Sequence, residues 1–237
     1  YITNYVFGAE DIVVAIGQDG LVANTLNYLE RQPIIGVNPD PERWEGVLLP
    51  FTVDDLSRVV TDFFTGKRRI REVSMAKAAL NTGEVLFGVN DIFIGPRSHT
   101  SAKYRIEIEG KEEVQSSSGI IVSTGLGSTG WFRSIVTGAK GISANLSSEI
   151  VEVAPETAFP WESDFLYYSI REPWPSKTTS ASITFGRIVP GKPLKLESLM
   201  AENGVIFSDG IESDFLRFDA GRSVEVSVAE KKGHLVV

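Results

Sequence analysis

The chain has 237 residues, 42% of them hydrophobic, and a formal net charge of −8 at pH 7, a balance that indicates a folded globular protein of one or two domains. Nucleic acid is not expected as a partner, because binding a phosphate backbone requires a basic surface and this chain is acidic. A membrane is not expected either, because no apolar run in the sequence approaches the roughly 18 residues that a membrane span requires. The absence of cysteine excludes disulfides, thiolate nucleophiles and cysteine-ligated metal sites.

The beginning of the chain predicts strands that alternate with helices. Residues 11–16 form a short β-branched run typical of a buried strand, residues 21–31 have helical spacing, and residues 34–37 indicate a second buried strand. Strand, helix and strand in this order form a βαβ unit, which implies a parallel sheet. A second helix is expected after Pro50-Phe51, where Thr52 and Asp55 have capping-box spacing. Apolar residues over 56–64 form its buried face, and Gly66 ends it.

From about residue 72 the sequence changes to short runs with period-two alternation, separated by Gly, Pro, Asn and Ser, which is typical of antiparallel strands. These runs are 85–94, 103–108, 180–185, 192–196, 205–207 and 224–228. The sequence therefore predicts an α/β domain over 1–72 and an antiparallel, β-rich domain over 73–237. The irregular stretch 147–161 is interpreted as a long active-site loop.

The first candidate site is the loop Gly17-Gln18-Asp19-Gly20, directly after the first predicted strand. Open α/β sheets bind ligands at the carboxyl ends of their strands, and glycines let the backbone approach phosphate oxygens closely. The carboxylate of Asp19 could orient a substrate hydroxyl or accept its proton. The alternative is an ordinary turn, because Asp-Gly is a common turn dipeptide.

The second candidate is the pair Asn90-Asp91, two polar residues that interrupt an apolar strand. A buried carboxylate or amide costs free energy unless something binds it, so the pair could contact ligand hydroxyls or an amide. The alternative is a strand end or bulge in which Asn90 bonds to the backbone.

The third candidate segment is Ser118–Trp131, in which an apolar run at 120–122 is followed by hydroxyls and glycines and then by an aromatic residue. Its hydroxyl-bearing and glycine residues are Ser118, Ser123, Thr124, Gly125, Gly127, Ser128, Thr129 and Gly130. Such residues let N–H groups and hydroxyls converge on phosphate or ribose, and Trp131 could pack beside a base. The alternative is a Ser/Gly-rich turn that caps the following helix. His99 and His234 lie far apart in sequence, and no metal site is predicted.

These motifs, in this order and followed by a late Asp209-Gly210 turn, resemble those of the ATP-dependent NAD kinase family over nearly the whole chain. Segments 36–43, 117–119 and 169–173 are most similar to the mitochondrial-type branch. The resemblance implies an N-terminal Rossmann-like α/β domain, here partly truncated, and a C-terminal antiparallel β-sandwich-like domain that binds NAD and forms oligomers.

The resemblance implies transfer of the ATP γ-phosphoryl group to the adenosine ribose 2′-hydroxyl of NAD or NADH, a step of NADP biosynthesis. Asp19 would deprotonate that hydroxyl, and Gly17, Gln18 and Gly20 would shape the phosphate-binding turn. Mg²⁺ would be held mainly by the ATP phosphates rather than by protein ligands. A homodimer or homotetramer is implied as well, and a cytoplasmic location is expected.

On the NAD side, the resemblance implies that Asn90 and Asp91 hold the ribose and neighbouring groups. Thr129, Gly130 and Trp131 would line the adenine side, with Trp131 standing where the family often has Tyr.

The chain departs from the family pattern at three positions. Gln18 stands where the family has Gly, so a positive φ there would be strained, and the alternative is an ordinary backbone whose side chain narrows the phosphate site. Ser118 stands where many bacterial members have an Asp that contacts NAD, and Leu126 replaces a polar residue. Two alternative functions follow, a related kinase acting on a lipid or sugar hydroxyl and a non-catalytic nucleotide-binding module, the latter suggested by Gln18.

Overall fold

The computed structural model describes residues 5–146 and 158–237, so most of the predicted loop at 147–161 lies outside the described residues. The chain forms two compact units. One contains the chain up to Met75 together with Glu230–Val237, and the other is Ala76–Ala229. The predicted boundary after residue 72 lies close to this division, whereas the C-terminal segment groups with the first unit and not with the second.

The elements of the described residues have the following bounds. The strands are β1 Val13–Ile16, β2 Pro33–Asn38, β3 Phe51–Thr52, β4 Ile70–Leu80, β5 Val85–Gly88, β6 Asp91–Pro96, β7 Ala102–Ile108, β8 Lys111–Ser117, β9 Ile120–Ser123, β10 Leu166–Ile170, β11 Phe185–Ile188, β12 Leu194–Ser198, β13 Gly204–Ser208, β14 Leu216–Arg217 and β15 Ser223–Val236. The helices are α1 Asp19–Asn27, α2 Leu56–Phe64 and α3 Trp131–Leu146, with a 3-10 turn at Gly127–Thr129.

The first unit has the predicted α/β arrangement. β1, β2 and β3 pair in parallel, with α1 between the first two strands and α2 after the third. The end of β15 adds to the other side of β2, where Leu235 pairs with Ile34 in parallel, which explains why the C-terminal segment belongs to this unit. Ile35, Val37 and Val59 form part of its core. Because parallel strands are buried on both faces, they read as continuous apolar runs in the sequence.

The second unit is the predicted antiparallel sandwich. One sheet of its described residues has the order β11-β10-β9-β6-β13-β14, with every neighbouring pair antiparallel. Against one face of this sheet pack β7, β12 and their antiparallel neighbours. The core between the two sheets includes Ile92, Ile106, Ile120, Leu166 and Leu196, all of them buried. Individual strands contribute alternate residues to this core, such as Ile92 with Ile94 and Ile120 with Val122, as the period-two pattern predicted.

Two strand predictions in the second unit were wrong in detail. The run 180–185 becomes a strand only at its last residue, where β11 begins, although its backbone already donates from Ser180 to Val114. The run 85–94 divides into β5 and β6. The backbone N–H groups between the two strands donate hydrogen bonds to the side chain of Asp209, which follows β13 in the sequence. This distant partner explains why the run is divided.

Candidate functional site

The loop Gly17–Gly20 continues from β1 into the first turn of α1. Gln18 has an ordinary extended backbone (φ −109°, ψ 163°), and Asp19 already belongs to the helix. The strain expected for a side chain at position 18 is therefore absent in this conformation. The loop places the N-terminus of a nine-residue helix after a parallel strand, and such helix N-termini attract anions such as phosphate.

The Asp19 carboxylate is held from one side by the backbone. Its Oδ1 accepts a hydrogen bond from the N–H of Leu48 at 2.6 Å. Hydrogen bonds to an ionised acceptor are short and roughly twice as strong as neutral ones, so this contact orients the side chain. Its second oxygen, Oδ2, makes no hydrogen bond to the described part of the chain and can accept a proton from a ligand hydroxyl.

Leu48 belongs to residues 38–49, a segment that we call the Asn38 loop, which is buried at its two ends and mostly exposed between them. The buried Asn38 side chain organises it, accepting from the N–H of Asp40 at 3.1 Å and donating to the carbonyl of Trp44 at 3.0 Å. Gly46 has a left-handed backbone (φ +67°), and a Cβ there would lie 2.6 Å from the Asn38 amide nitrogen. The loop therefore presents the Leu48 N–H in one position.

The second unit contains a cavity of about 330 Å³ at the end of β9 and the start of β6. Its lining residues are Asn90, Asp91, Leu126, Gly127, Thr129, Gly130, Trp131, Asp209 and Gly210. Three segments that are far apart in sequence thus meet at one place. Residues of the second and third candidate segments both line the cavity, and the late Asp-Gly turn lies beside them.

Asp209 acts as a clamp on the chain between β5 and β6. Its Oδ2 accepts from the N–H of Val89 at 3.0 Å, and its Oδ1 accepts from the N–H groups of Asn90 and Asp91 at 2.6 and 3.2 Å. The backbone of Asp209 is left-handed (φ 53°), a conformation that Asp and Asn tolerate better than other side chains. One carboxylate therefore satisfies the N–H groups at the strand break.

Asp91 is a buried carboxyl beside this clamp, with 7% of its surface exposed. Burial first, and then repulsion from the Asp209 carboxylate, raise the pKa of Asp91 to about 7. The three N–H donors hold Asp209 in the ionised form, so the proton goes to Asp91. At neutral pH Asp91 can therefore serve as donor or acceptor toward a ligand in the cavity.

We expect Asp91→Asn to be more stable than the wild type at neutral pH. A pKa raised in the folded state means that the folded protein holds a proton that the unfolded chain releases, so wild-type stability falls as pH rises from about 4 to about 7 and then stays level. The gain for Asp91→Asn should grow over the same window, up to about 4 kcal/mol, and be smallest near pH 4. Chemical denaturation from pH 4 to 8 measures it, with the exposed Asp54→Asn as control. A constant difference between wild type and Asp91→Asn would contradict the assigned titration.

Three hydroxyls of the third segment, those of Ser123, Thr124 and Ser128, bond to backbone carbonyls and do not line the cavity, whereas Thr129 does line it. Thr124 Oγ1 donates to the carbonyl of Val89 at 2.5 Å, and Ser128 Oγ donates to the carbonyl of Gly125 at 2.6 Å. Ser123 Oγ donates to the carbonyl of Thr124 at 3.1 Å, and all three side chains are fully buried. These residues were predicted to contact a ligand, and in the structure their hydroxyls instead stabilise the loop that lines the cavity.

Gly127 permits the closest backbone approach in this region. A Cβ on it would lie 1.9 Å from the carbonyl oxygen of Asn90, well inside any tolerable contact. The same carbonyl accepts from the N–H of Thr124 at 3.0 Å, so the loop and the strand break are fastened together here. This close contact explains why position 127 is occupied by glycine, because a side chain there would collide with the backbone of Asn90.

Trp131 begins α3 and forms an aromatic wall of the cavity. Its ring stacks on Phe93 with 5.8 Å between ring centres and 9° between ring planes, and the Arg171 guanidinium lies 5.4 Å from its centre. Ser118 lies at the other end of β9, where its N–H donates to the carbonyl of Arg171 at 2.9 Å, and it does not line the cavity.

Three lining residues were not among the predicted site residues, namely Leu126, Asp209 and Gly210. The signal for the last two was present, because the Asp-Gly turn was one of the ordered motifs. Its role was hidden, since nothing in the local sequence tells which backbone a distant carboxylate will clamp.

Neither a metal cluster nor a membrane helix is found in the described ranges 5–146 and 158–237. No group of three or more His, Asp or Glu side chains there could hold a metal ion. Within the same ranges, no helix has the length and apolar character that crossing a membrane requires.

No protein-family model matches the chain. It is 28% identical over 127 residues to an NAD kinase of Chlorobaculum tepidum, a match that covers 52% of this chain and 44% of the relative. It is 30% identical over 129 residues to an NAD kinase of Clostridium tetani, covering 51% of this chain and 46% of that protein. The matches thus span about half of this chain and less than half the length of these curated relatives.

Solved structures share the fold over nearly the whole chain. Yeast NADH kinase complexed with NADH superposes with a TM-score of 0.68 at 17% identity, covering 96% of this chain and 61% of that one. An NAD kinase from Archaeoglobus fulgidus in complex with ATP gives a TM-score of 0.62 at 16% identity, covering 95% of this chain and 77% of the other. The predicted fold class, an α/β part followed by an antiparallel β part, is confirmed.

Proposed function

We infer that this chain belongs to the NAD kinase family, and we propose that it transfers the γ-phosphoryl group of ATP to the adenosine ribose 2′-hydroxyl of NAD, giving NADP. The observation that carries the proposal is the cavity in the second unit, which gathers three of the motifs on which the resemblance rests. Similarity to two curated NAD kinases and to kinase structures with NADH and with ATP supports the same activity.

In this proposal Asp19 is the general base. The Leu48 N–H fixes one carboxylate oxygen, and the other accepts the proton of the 2′-hydroxyl as the phosphoryl group transfers. The N-terminus of α1, with Gly17 and Gly20 beside it, attracts the negative phosphates. Phosphoryl transfer needs little covalent help from a protein, so these residues act mainly by positioning and charge stabilisation.

The cavity residues would hold the acceptor. Asn90 and Asp91 offer an amide and a carboxyl to ribose hydroxyls, and Trp131, with Thr129 and Gly130 beside it, offers an aromatic wall to the adenine. Ser118, Ser123, Thr124 and Ser128 contribute through the loop and strand that they stabilise.

In this proposal Mg²⁺ is an ion carried by ATP. It is held mainly by phosphate oxygens, because Mg²⁺ commonly uses one or two carboxylates together with substrate phosphates. When bound, the ion neutralises charge on the β- and γ-phosphates.

Several finer features belong to the proposal as well. The acceptor is NAD or NADH, the donor is ATP or polyphosphate, and the chain is expected to resemble the mitochondrial-type branch and to form a homodimer or homotetramer. The cytoplasmic location stays a prediction. A lipid or sugar kinase is not favoured, since the relatives named above are NAD(H) kinases. The extended backbone of Gln18 removes the strain that suggested a non-catalytic module.

A coupled assay tests the proposal directly. The purified protein is incubated with ATP, Mg²⁺ and NAD, and in parallel with NADH, with polyphosphate as donor, and with sugar hydroxyl acceptors. NADP or NADPH formation is the expected result. A folded protein that phosphorylates neither dinucleotide would overturn the proposed acceptor.

We expect Gly46→Ala to lower kcat about ten- to a hundredfold, because a small displacement of a catalytic group is sufficient for such losses. The added methyl meets the Asn38 amide and must shift the Asn38 loop, which carries the N–H that orients Asp19. Gly66→Ala is the matched control, since Gly66 has a similar left-handed φ of +71° but an open environment. Both variants should lose about 1 kcal/mol to backbone strain, and only the first should lose kcat. Equal kcat values for the two variants would contradict a role for the loop.

A further inference from the structure

We propose that Asp209 is a positioning residue of the dinucleotide site, whose carboxylate fixes the backbone of Val89–Asp91 and so presents Asn90 and Asp91 to the acceptor. The inference rests on the proposed function for the identity of the ligand. The proposal gives the turn after β13 a role in positioning the backbone of Val89–Asp91, in addition to its place in the cavity lining.

Asp209 accepts hydrogen bonds from the three consecutive N–H groups of Val89, Asn90 and Asp91. Within the described ranges, no other side chain is seen to do so. Both carboxylate oxygens of Asp209 are used, at distances of 2.6 to 3.2 Å. In return, the backbone N–H of Asp209 donates to the carbonyl of Asp91 at 3.0 Å. The turn and the break are therefore locked to each other in both directions.

These hydrogen bonds determine where the side chains of Asn90 and Asp91 point. β5 ends at Gly88 and β6 begins at Asp91, and the two strands belong to different sheets. Without the carboxylate, the N–H groups of Val89 and Asn90 would need other acceptors, and β6 could change its pairing register with β9 and β13. A shift of one residue moves every side chain of a strand to the opposite face, which would take Asp91 out of the cavity.

The clamp also sets the charge state of its neighbour. Among the cavity-lining residues, the titratable ones are Asp91 and Asp209. Asp209 is held ionised by its three donors, and its negative charge adds to burial in raising the pKa of Asp91. An uncharged residue at 209 would therefore lower the pKa of Asp91 while burial continued to raise it. A purely structural turn residue would have no such effect.

Asp209→Asn is the informative variant, because Asn keeps the size and tolerates the left-handed backbone. Its amide can still accept through Oδ1, but its NH₂ group faces the N–H of Val89 and cannot accept from it. We expect the affinity for NAD and NADH, measured by calorimetry, to fall about tenfold, since bonds to charged acceptors are the strong ones. The KM for the acceptor should rise by a similar factor while the KM for ATP changes less than twofold.

Asp219→Asn is the matched control. Asp219 also accepts a backbone N–H, that of Gly204 at 3.1 Å, but it does so at the other end of β13. Asp219→Asn should leave the KM for the acceptor and the KM for ATP unchanged.

A second measurement, the pH dependence of stability, needs no ligand. The decline in wild-type stability that accompanies ionisation of Asp91 should end at a lower pH in Asp209→Asn than in the wild type, and Asp219→Asn should not move it. Unchanged acceptor affinity in Asp209→Asn together with an unmoved pH window would overturn the proposal. If the wild type bound neither dinucleotide, the proposed function would fail, and the pH window alone would then decide whether Asp209 controls Asp91.

Discussion

Replacing Asp19 with asparagine is expected to lower kcat for NADP formation by about 10³-fold, with little change in the KM for either substrate. A positioned general base contributes about 10²–10⁴ to a rate, and asparagine cannot take the proton. The amide oxygen can still accept from the N–H of Leu48, so the side chain should stay in place. The measurement is steady-state kinetics on the wild type, Asp19→Asn and Asp19→Ala, with circular dichroism to show that each variant is folded.

The control for Asp19 is another aspartate of the first unit that binds a backbone N–H. Asp11 accepts from Gly8 at 2.8 Å through Oδ2, and Asp11→Asn should keep wild-type kcat. A kcat within a few-fold of wild type in Asp19→Asn would show that the proton leaves by another route. Loss of kcat in both variants would point to a general loss of structure in the first unit and not to catalysis.

Local patterns predicted much of the fold, because they report on neighbours in the chain. The βαβ start of the first unit follows from burial of short apolar runs, and α2 follows from its apolar face. The association of the end of β15 with β2 was not predictable in the same way. Leu235 pairs with a residue about two hundred positions earlier, and no local period encodes the choice of that partner.

The candidate site shows the same limit at the level of single side chains. Asn90 and Asp91 stand out because polar residues are unexpected in an apolar strand, and the structure places both at the cavity. Thr124 stands out equally in the sequence, yet its hydroxyl is buried against the carbonyl of Val89. Both roles satisfy the rule that buried polar groups find partners, so the sequence identifies the region while only the tertiary contacts separate side chains that line the cavity from those that bond internally.

Gly127→Ala is expected to damage the acceptor site more than any other single methyl added to the chain near the cavity. The new Cβ would lie 1.9 Å from the carbonyl oxygen of Asn90 and 2.5 Å from its carbon, and backbone atoms cannot move aside as a flexible side chain can. We expect a loss of about 3 kcal/mol in the free energy of unfolding, at the upper end for overpacked sites. The KM for NAD should also rise more than tenfold, because the strand break carrying Asn90 must separate from the loop.

Gly138→Ala provides the control for this substitution. Gly138 lies in α3, where a Cβ would meet nothing within 4 Å, so the change should raise stability by about 0.5–1 kcal/mol through helix propensity. Urea denaturation and the KM for NAD are measured on both variants. Wild-type stability and KM in Gly127→Ala would mean that the loop and the strand break are not in contact in solution. That result would also remove the cavity on which the acceptor site depends, because Asn90 and Gly127 both line it.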